Sequence, residues 1–227
     1  LFKGRPEAIS KSINQCKIAF YKTDQFEPEA SDDLVNVWEK AQQLLSDKGC
    51  IVEEIDLGSK YKGWMGAQGR FTQIVKAEGG VAMKREYVIG KGQMGEGLPE
   101  WVDNDINPFV MLKARDELAA LRPDFDAIAG QYDAIITPTV PNTAPPVTVG
   151  DRPGFNSLFT GLHVPTVHIP GFAGEDGMPM GLTLVGARYK DQDLLEVARV
   201  VAEVWIGADG GKLKRVPAPE GTVHVKP

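Results

Sequence analysis

The side chains able to make or break covalent bonds are few in this sequence of 227 residues, and their spacing limits what they can do. The serines are Ser10, Ser12, Ser31, Ser46, Ser59 and Ser157. A serine nucleophile needs an exposing turn, oxyanion donors and a base within hydrogen-bond reach. None of the six stands in a Gly-x-Ser-x-Gly elbow, and the sequence holds no Gly/Ser-rich run. His163 and His168 flank Pro165 in an extended segment, which places them on opposite faces; with His224 they read as structural. With no cysteine or carboxylate at ligand spacing beside them, no metal is expected. Asp32-Asp33 and the pair Asp124 and Asp126 read as helix starts rather than as an acid and base facing across a pocket. Gly90-Lys91-Gly92-Gln93-Met94-Gly95 spells the dinucleotide fingerprint, but a helical pattern precedes it and Pro99 follows. That context contradicts nucleotide binding and predicts a mobile loop, able at most to cover a cleft.

Composition narrows the classes further. Hydrophobic residues make up 42% and charged residues 25%, with a net charge of −6, as expected of a globular domain with an acidic surface. Lysine and arginine are scattered, so the basic stripe that a phosphate backbone requires is missing and no nucleic-acid partner is predicted. No apolar run approaches the ~20 residues of a membrane helix, and no membrane contact is predicted. Cys16 and Cys50 are expected as reduced thiols in a cytoplasmic protein. Leu1-Phe2-Lys3-Gly4-Arg5-Pro6 reads as a cut within a longer protein, so a localisation signal lying upstream would be lost.

The elements that must position any site follow from periodicity. Cys16 to Tyr21 is a buried strand; Ser31 caps a helix with Leu34, Val37, Trp38, Ala41, Leu44 and Leu45 on one face; Gly49 ends it, and Ile51 to Leu57 is a second strand. Strand, helix and strand make a βαβ unit with parallel pairing. Residues 66–88 read as a helix with Phe71, Ile74, Val75, Val81 and Ala82 inward, weakened by Gly79-Gly80. Asn107-Pro108 opens a helix bearing Met111, Ala114, Leu118 and Leu121, which Pro123 stops or kinks. Ala134 to Thr137, Thr166 to Ile169 and Gly181 to Val185 are strands, and the proline-rich stretch from Pro138 to Pro153 is a loop. Asp191 caps a last helix with Leu194, Leu195, Ala198, Val201, Ala202 and Trp205 on one face. The predicted fold is α/β, a three-layer α/β/α sandwich with a mixed sheet. Residues 1–15 form a linker, 16–206 the domain and 207–227 a loose tail. Because loops beyond the carboxyl ends of strands line ligand crevices, the segment from Val140 to Asn156 belongs near a site.

Four pieces in order carry a family resemblance. They are Asp133-Ala134-Ile135-Ile136-Thr137-Pro138-Thr139, then Thr160-Gly161-Leu162-His163-Val164-Pro165, then Gly177-Met178-Pro179-Met180-Gly181-Leu182, then the helix from Asp191. This order resembles the C-terminal half of amidase signature hydrolases, from about Lys17 to Val204. Lys22-Thr23-Asp24 is similar to fungal and fatty-amide members of the family. The resemblance implies amide hydrolysis through a Ser–Ser–Lys triad that lies in the other half, outside these residues. No catalytic residue can therefore be assigned here, and no cofactor is implied. It also implies that Phe155, Asn156, Phe159 and Thr160 face substrate, with His163 standing where a small residue, often glycine, is usual. The expected partners are a small-molecule amide, the N-terminal half and, through surface that this half would cover, a second copy of the chain. On this reading the chain shapes the pocket wall and is inactive alone. The alternatives are a stand-alone α/β binding or regulatory module, or part of a subunit of a glutamine-dependent amidotransferase.

Overall fold

The computed structural model describes residues 11–65, 69–90, 92–95, 98–104, 106–146 and 155–208. In chain order these form β1 (Lys17–Phe20), α1 (Phe26–Glu29), α2 (Asp32–Asp47), β2 (Ile51–Glu54), α3 (Arg70–Ala82), α4 (Lys84–Ile89) and α5 (Leu98–Val102). Then come α6 (Pro108–Ala129), β3 (Ala134–Pro138), α7 (Ser157–Leu162), β4 (Thr166–Ala173), β5 (Pro179–Val185) and α8 (Asp191–Ala208). Residues 1–10 and 209–227, which hold most of the expected linker and tail and also His224, lie outside the described residues.

The βαβ unit forms as its sequence dictates. The Ser31 hydroxyl accepts the Leu34 N–H at 3.2 Å, and Asp32 and Asp33 sit in the first turn, where the helix dipole favours them. Gly49 takes φ +80°, the left-handed conformation that releases the chain into β2. Pairing is parallel, Lys17 opposite Ile51 through Phe20 opposite Glu54. β3 then joins the free side of β1, also parallel, while β5 and β4 add antiparallel strands. The sheet order is β2-β1-β3-β5-β4, so the expected mixed sheet is what forms.

Strand alternation sorts the sheet into two different faces. Phe20 meets Trp38 of α2 edge to face, with ring centroids 5.0 Å apart. Ile18, Phe20, Ala134, Ile136, Leu182, Leu184 and Ile169 share that side by register, and all are buried. The layer over them is α2 and α8, tied together by Trp205, whose indole N–H donates to the Ala41 carbonyl at 3.3 Å. The opposite face carries α6, α7 and α3, where edge-on aromatic contacts run from Tyr61, in the turn after β2, to Phe125 at 6.1 Å and from Phe125 to Phe159 at 6.2 Å. The result is three layers, as in the amidase signature fold.

Several expectations are corrected. The helix expected over residues 66–88 is two helices that meet at Met83, and Val81 is 80% exposed rather than inward. α6 passes through Pro123 and runs to Ala129; burial of Leu118, Leu121 and Phe125 holds it together across the missing hydrogen bond. Asp124 and Asp126 therefore lie late in a helix instead of starting one. Asp126 binds Arg188 through both its backbone N–H and its guanidinium, at 2.9 and 2.8 Å, while Asp124 pairs with Lys60. β2 ends at Glu54, short of Leu57, and Leu195 is 51% exposed, off the buried stripe of α8. The Gly90–Gly97 segment lies between α4 and α5, without the preceding strand that a dinucleotide site needs; Lys91, Glu96 and Gly97 are outside the described residues.

Candidate substrate-pocket wall

The face away from α2 and α8 turns polar toward the carboxyl end of β3. Register places Thr137 opposite Thr183 and Thr183 opposite His168. Tyr21 continues β1 beside Thr137, its N–H bonded to the Ile136 carbonyl at 2.9 Å. Tyr21, Thr137, Thr183 and His168 thus form one row across four strands, on the side where α7 packs. The exposed end of this row opens into a cleft of about 420 Å³ lined by Thr139, Asn156, Phe159, Thr160, Val164, Thr166, His168 and Thr183.

Thr139 is the hub of the cleft. Its hydroxyl lies 2.9 Å from His168 Nδ1, 2.8 Å from the Thr183 hydroxyl and 3.4 Å from the Gly181 carbonyl. A hydroxyl has one proton to give, so it donates to only one of these groups and must accept from another. Its main-chain carbonyl is engaged too. The Phe155 N–H and the Asn156 side-chain amide both donate to it, each at 3.2 Å. This double clip fixes the start of α7 against the end of β3. The Thr160 hydroxyl donates to the Asn156 carbonyl at 3.2 Å within the helix. Desolvation lowers the pKa of His168 from its ordinary value, which favours the neutral imidazole.

Three of the four expected wall residues meet here. Asn156, Phe159 and Thr160 line the cleft, whereas Phe155 is wholly buried beneath it and acts through its backbone N–H. His163 is outside the cleft lining. It caps α7 in the left-handed conformation, φ 58° and ψ 39°, which glycine adopts without steric cost. Its Nε2 lies 3.2 Å from Arg122 Nη2, and Arg122 also donates to the Gly161 carbonyl at 3.1 Å. Burial first, then the charges of Arg122 and Arg188, lowers its pKa. Sequence reasoning set His168 aside as structural and missed Thr166 and Thr183. The usable signal was polar residues at alternate strand positions, but only the register shows that they share a face.

A wider groove of about 650 Å³ beside α2 and α8 is lined mainly by the aliphatic parts of Leu44, Val200 and Val204 with charged neighbours. The smaller cleft is the better candidate because converging hydroxyls, an amide and an imidazole can orient a ligand. Among the described residues, no group of three or more His, Cys, Asp or Glu side chains is arranged to hold a metal ion. No described helix is long and apolar enough to cross a membrane.

A scan against known families finds no matching profile. Similarity to individual proteins is consistent, however. The sequence is 23% identical to a glutamyl-tRNA(Gln) amidotransferase subunit from Xanthobacter autotrophicus, over 87% of this chain and 46% of the relative. Among solved structures, a fatty acid amide hydrolase superposes with a TM-score of 0.71 at 16% identity, covering 90% of this chain and 42% of that one. A bacterial aryl acylamidase described as an amidase signature enzyme gives 0.61 at 17% identity, covering 88% and 46%. The chain spans less than half the length of each of these proteins. It shares the fold of these amidases and is similar, over most of its length, to about half of an amidotransferase subunit.

Proposed function

We propose that this chain forms one wall of an amide-binding pocket in an amidase signature hydrolase, and that the nucleophile and proton relay come from the other half. The observation that carries this reading is the cleft, where Thr139, Thr183 and His168 at the strand ends face Asn156, Phe159 and Thr160 of α7. Such a wall suits a planar amide. Phe159, itself buried against Phe125, backs the wall from within, and the hydroxyls and amide offer donors and acceptors for a carbonyl oxygen and an N–H. Asn156 and Thr160 are the substrate-facing polar residues; Phe155 supports them from beneath. The substrate is a small-molecule amide and the N-terminal half is the partner.

A second reading is part of a glutamyl-tRNA(Gln) amidotransferase, favoured by the sequence relative described above. The two readings differ in partners, since a component of an amidotransferase must assemble with other chains. Expression of the complete reading frame, followed by purification under mild conditions, separates them. A single self-sufficient polypeptide that hydrolyses simple amides supports the amidase, and stoichiometric companion chains support the alternative.

In the complete enzyme, Asn156→Ala and Thr160→Ala are expected to alter selectivity across an amide panel. Loss of one pocket hydrogen bond costs about 1 kcal/mol or more in transition-state binding, or roughly fivefold in kcat/KM for substrates that use it. Values of kcat/KM unchanged for every amide, in variants that melt normally, would remove both residues from the pocket.

A further inference from the structure

A second polar site lies at the other end of the same row. Among the described residues, five buried side-chain oxygens have no hydrogen-bond partner: Tyr21 Oη, Thr23 Oγ1, Asp24 Oδ1, Tyr61 Oη and Thr137 Oγ1. They are not dispersed. Tyr21, Thr23 and Asp24 follow β1, Thr137 ends β3, and Tyr61 is in the turn after β2. This is the carboxyl end of the parallel part of the sheet, where β1 sends the chain to β2 on one side and pairs with β3 on the other. Open α/β sheets bind ligands in the crevice at such a switch point. A buried polar atom left unpaired costs about 1–3 kcal/mol, so a cluster of five demands an explanation.

Two of the five, Thr23 and Asp24, line a crevice of about 420 Å³ together with Phe20, Lys22, Glu27, Glu54, Ile55, Asp56 and Lys62. Four of these residues are acidic and two are basic. Much of the acid is already engaged: Glu54 Oε1 accepts from Trp38 and Gln42, Asp56 Oδ1 from the Gly58 N–H, and Asp24 Oδ2 from the Gly63 N–H at 2.7 Å. The lysines lean on Glu27 and Asp56, at 3.8 and 3.5 Å. What remains at the crevice floor is the second oxygen of Asp24 and the hydroxyl of Thr23, a residue only 3% exposed. The unpaired set contains oxygen and no nitrogen. It combines one formal negative charge with hydroxyls and phenols that can all accept, and it matches a compact cation bearing several N–H donors.

We propose that the crevice beyond β1 and β2 binds an ammonium group, either the free ion or the head of a small primary amine, with Asp24 Oδ1 and Thr23 Oγ1 as direct acceptors. The inference stands apart from the amidase reading, because it concerns a different cavity and needs no turnover. The intact 227-residue chain is titrated with [15N]ammonium chloride at constant ionic strength made up with sodium chloride, and binding is read from the ammonium 15N signal. Parallel titrations use methylammonium, potassium and tetramethylammonium chlorides. Saturable ammonium binding that sodium does not remove is expected, weakened about tenfold or more by Asp24→Asn and several-fold by Thr23→Val. Competition by methylammonium identifies the amine head as an accepted ligand, and its failure to compete restricts the site to the free ion. Tetramethylammonium, which has no N–H, should not compete. Circular dichroism checks that the variants fold, and Thr23→Val carries the test if Asp24→Asn does not. Absence of saturable binding, equal binding of potassium, or full affinity in a folded variant would overturn the proposal.

Discussion

At the scale of single residues, the cleft is organised by Thr139 and by the protonation state of His168. The His168 side chain is solvent-exposed at the cleft mouth, so the desolvation that lowers its pKa is partial and its signed prediction is a modest one. The unfolded chain takes up this proton near pH 6.5, whereas the folded chain resists it. The stabilisation is complete above about pH 6.5 and is lost as pH falls through the lower folded pKa. His163 is shifted in the same direction, so it shares the slope. Asp126 titrates elsewhere: burial would raise its pKa, but the hydrogen bonds and charge of Arg188 hold it below the usual carboxylate value. Urea midpoints measured between about pH 5 and 7.5 should therefore fall on the acid side, and His168→Gln should flatten part of that fall. Superimposable pH profiles for the two proteins would show that His168 is not held neutral. The groups lining the cleft beside His168 are Thr139, Thr166, Thr183, Asn156, Thr160 and apolar side chains, none of which carries a charge to compete with desolvation.

At the scale of elements, close backbone approach is a stronger constraint than propensity. β4 and β5 pair with an irregularity between Ile169 and Phe172, and Gly181 sits against it. A Cβ at Gly181 would lie 2.1 Å from the Ile169 carbonyl oxygen, which is backbone and cannot turn away. Gly181→Ala should destabilise by about 3 kcal/mol, the upper end of ordinary overpacking, measured as a lowered denaturant midpoint. A loss below about 1 kcal/mol would mean that the strands part easily there. Cys16 and Cys50 stand at the entrances of β1 and β2, both buried and free. Burial, reinforced by the neighbouring Cys16, pushes Cys50 up to about 12, so the folded protein should react slowly with a thiol reagent. Denatured without reductant, it should titrate two thiols; a count of zero in a monomer would reveal a bridge. The βαβ unit was legible because Ser31, the helical stripe and Gly49 each mark a boundary. The two faces of the sheet were not, since they depend on register. α7 was missed for another reason: six residues give too little period to distinguish a short helix from a loop. Proline misled in α6, where tertiary burial overrides the local break at Pro123.

At the scale of the whole molecule, the arrangement predicts catalytic silence for the isolated chain. Amide hydrolysis needs a nucleophile, a relay for its proton and donors for the oxyanion, all within hydrogen-bond reach of one carbon. The described serines are committed elsewhere or lack a base. Ser31 caps α2, Ser12 is held by Asn14 and Gln15, and Ser157 opens α7 without a hydrogen bond to lysine, histidine or carboxylate among the described residues. Lys17, Lys60, Lys62 and Lys190 pair with solvent-exposed acids and Lys11 with the part-buried Asp133, rather than with hydroxyls. His168 reaches a threonine, but the Thr139 hydroxyl lies between that imidazole, the Thr183 hydroxyl and the Gly181 carbonyl and can give its proton to only one of them. A hydroxyl so held is a scaffold group rather than an activated nucleophile. The expected outcome is no amidase or esterase turnover above background and no labelling by a fluorophosphonate probe. Adding the N-terminal half, on the same polypeptide or in trans, should bring both. Stoichiometric labelling of the isolated chain at Ser157, or turnover abolished by Ser157→Ala, would place a nucleophile in the wall itself. Labelling at Thr139 would do the same for the hub and would make His168 its base. Either result would convert the pocket wall into an active site and end the reading of this chain as the non-catalytic half.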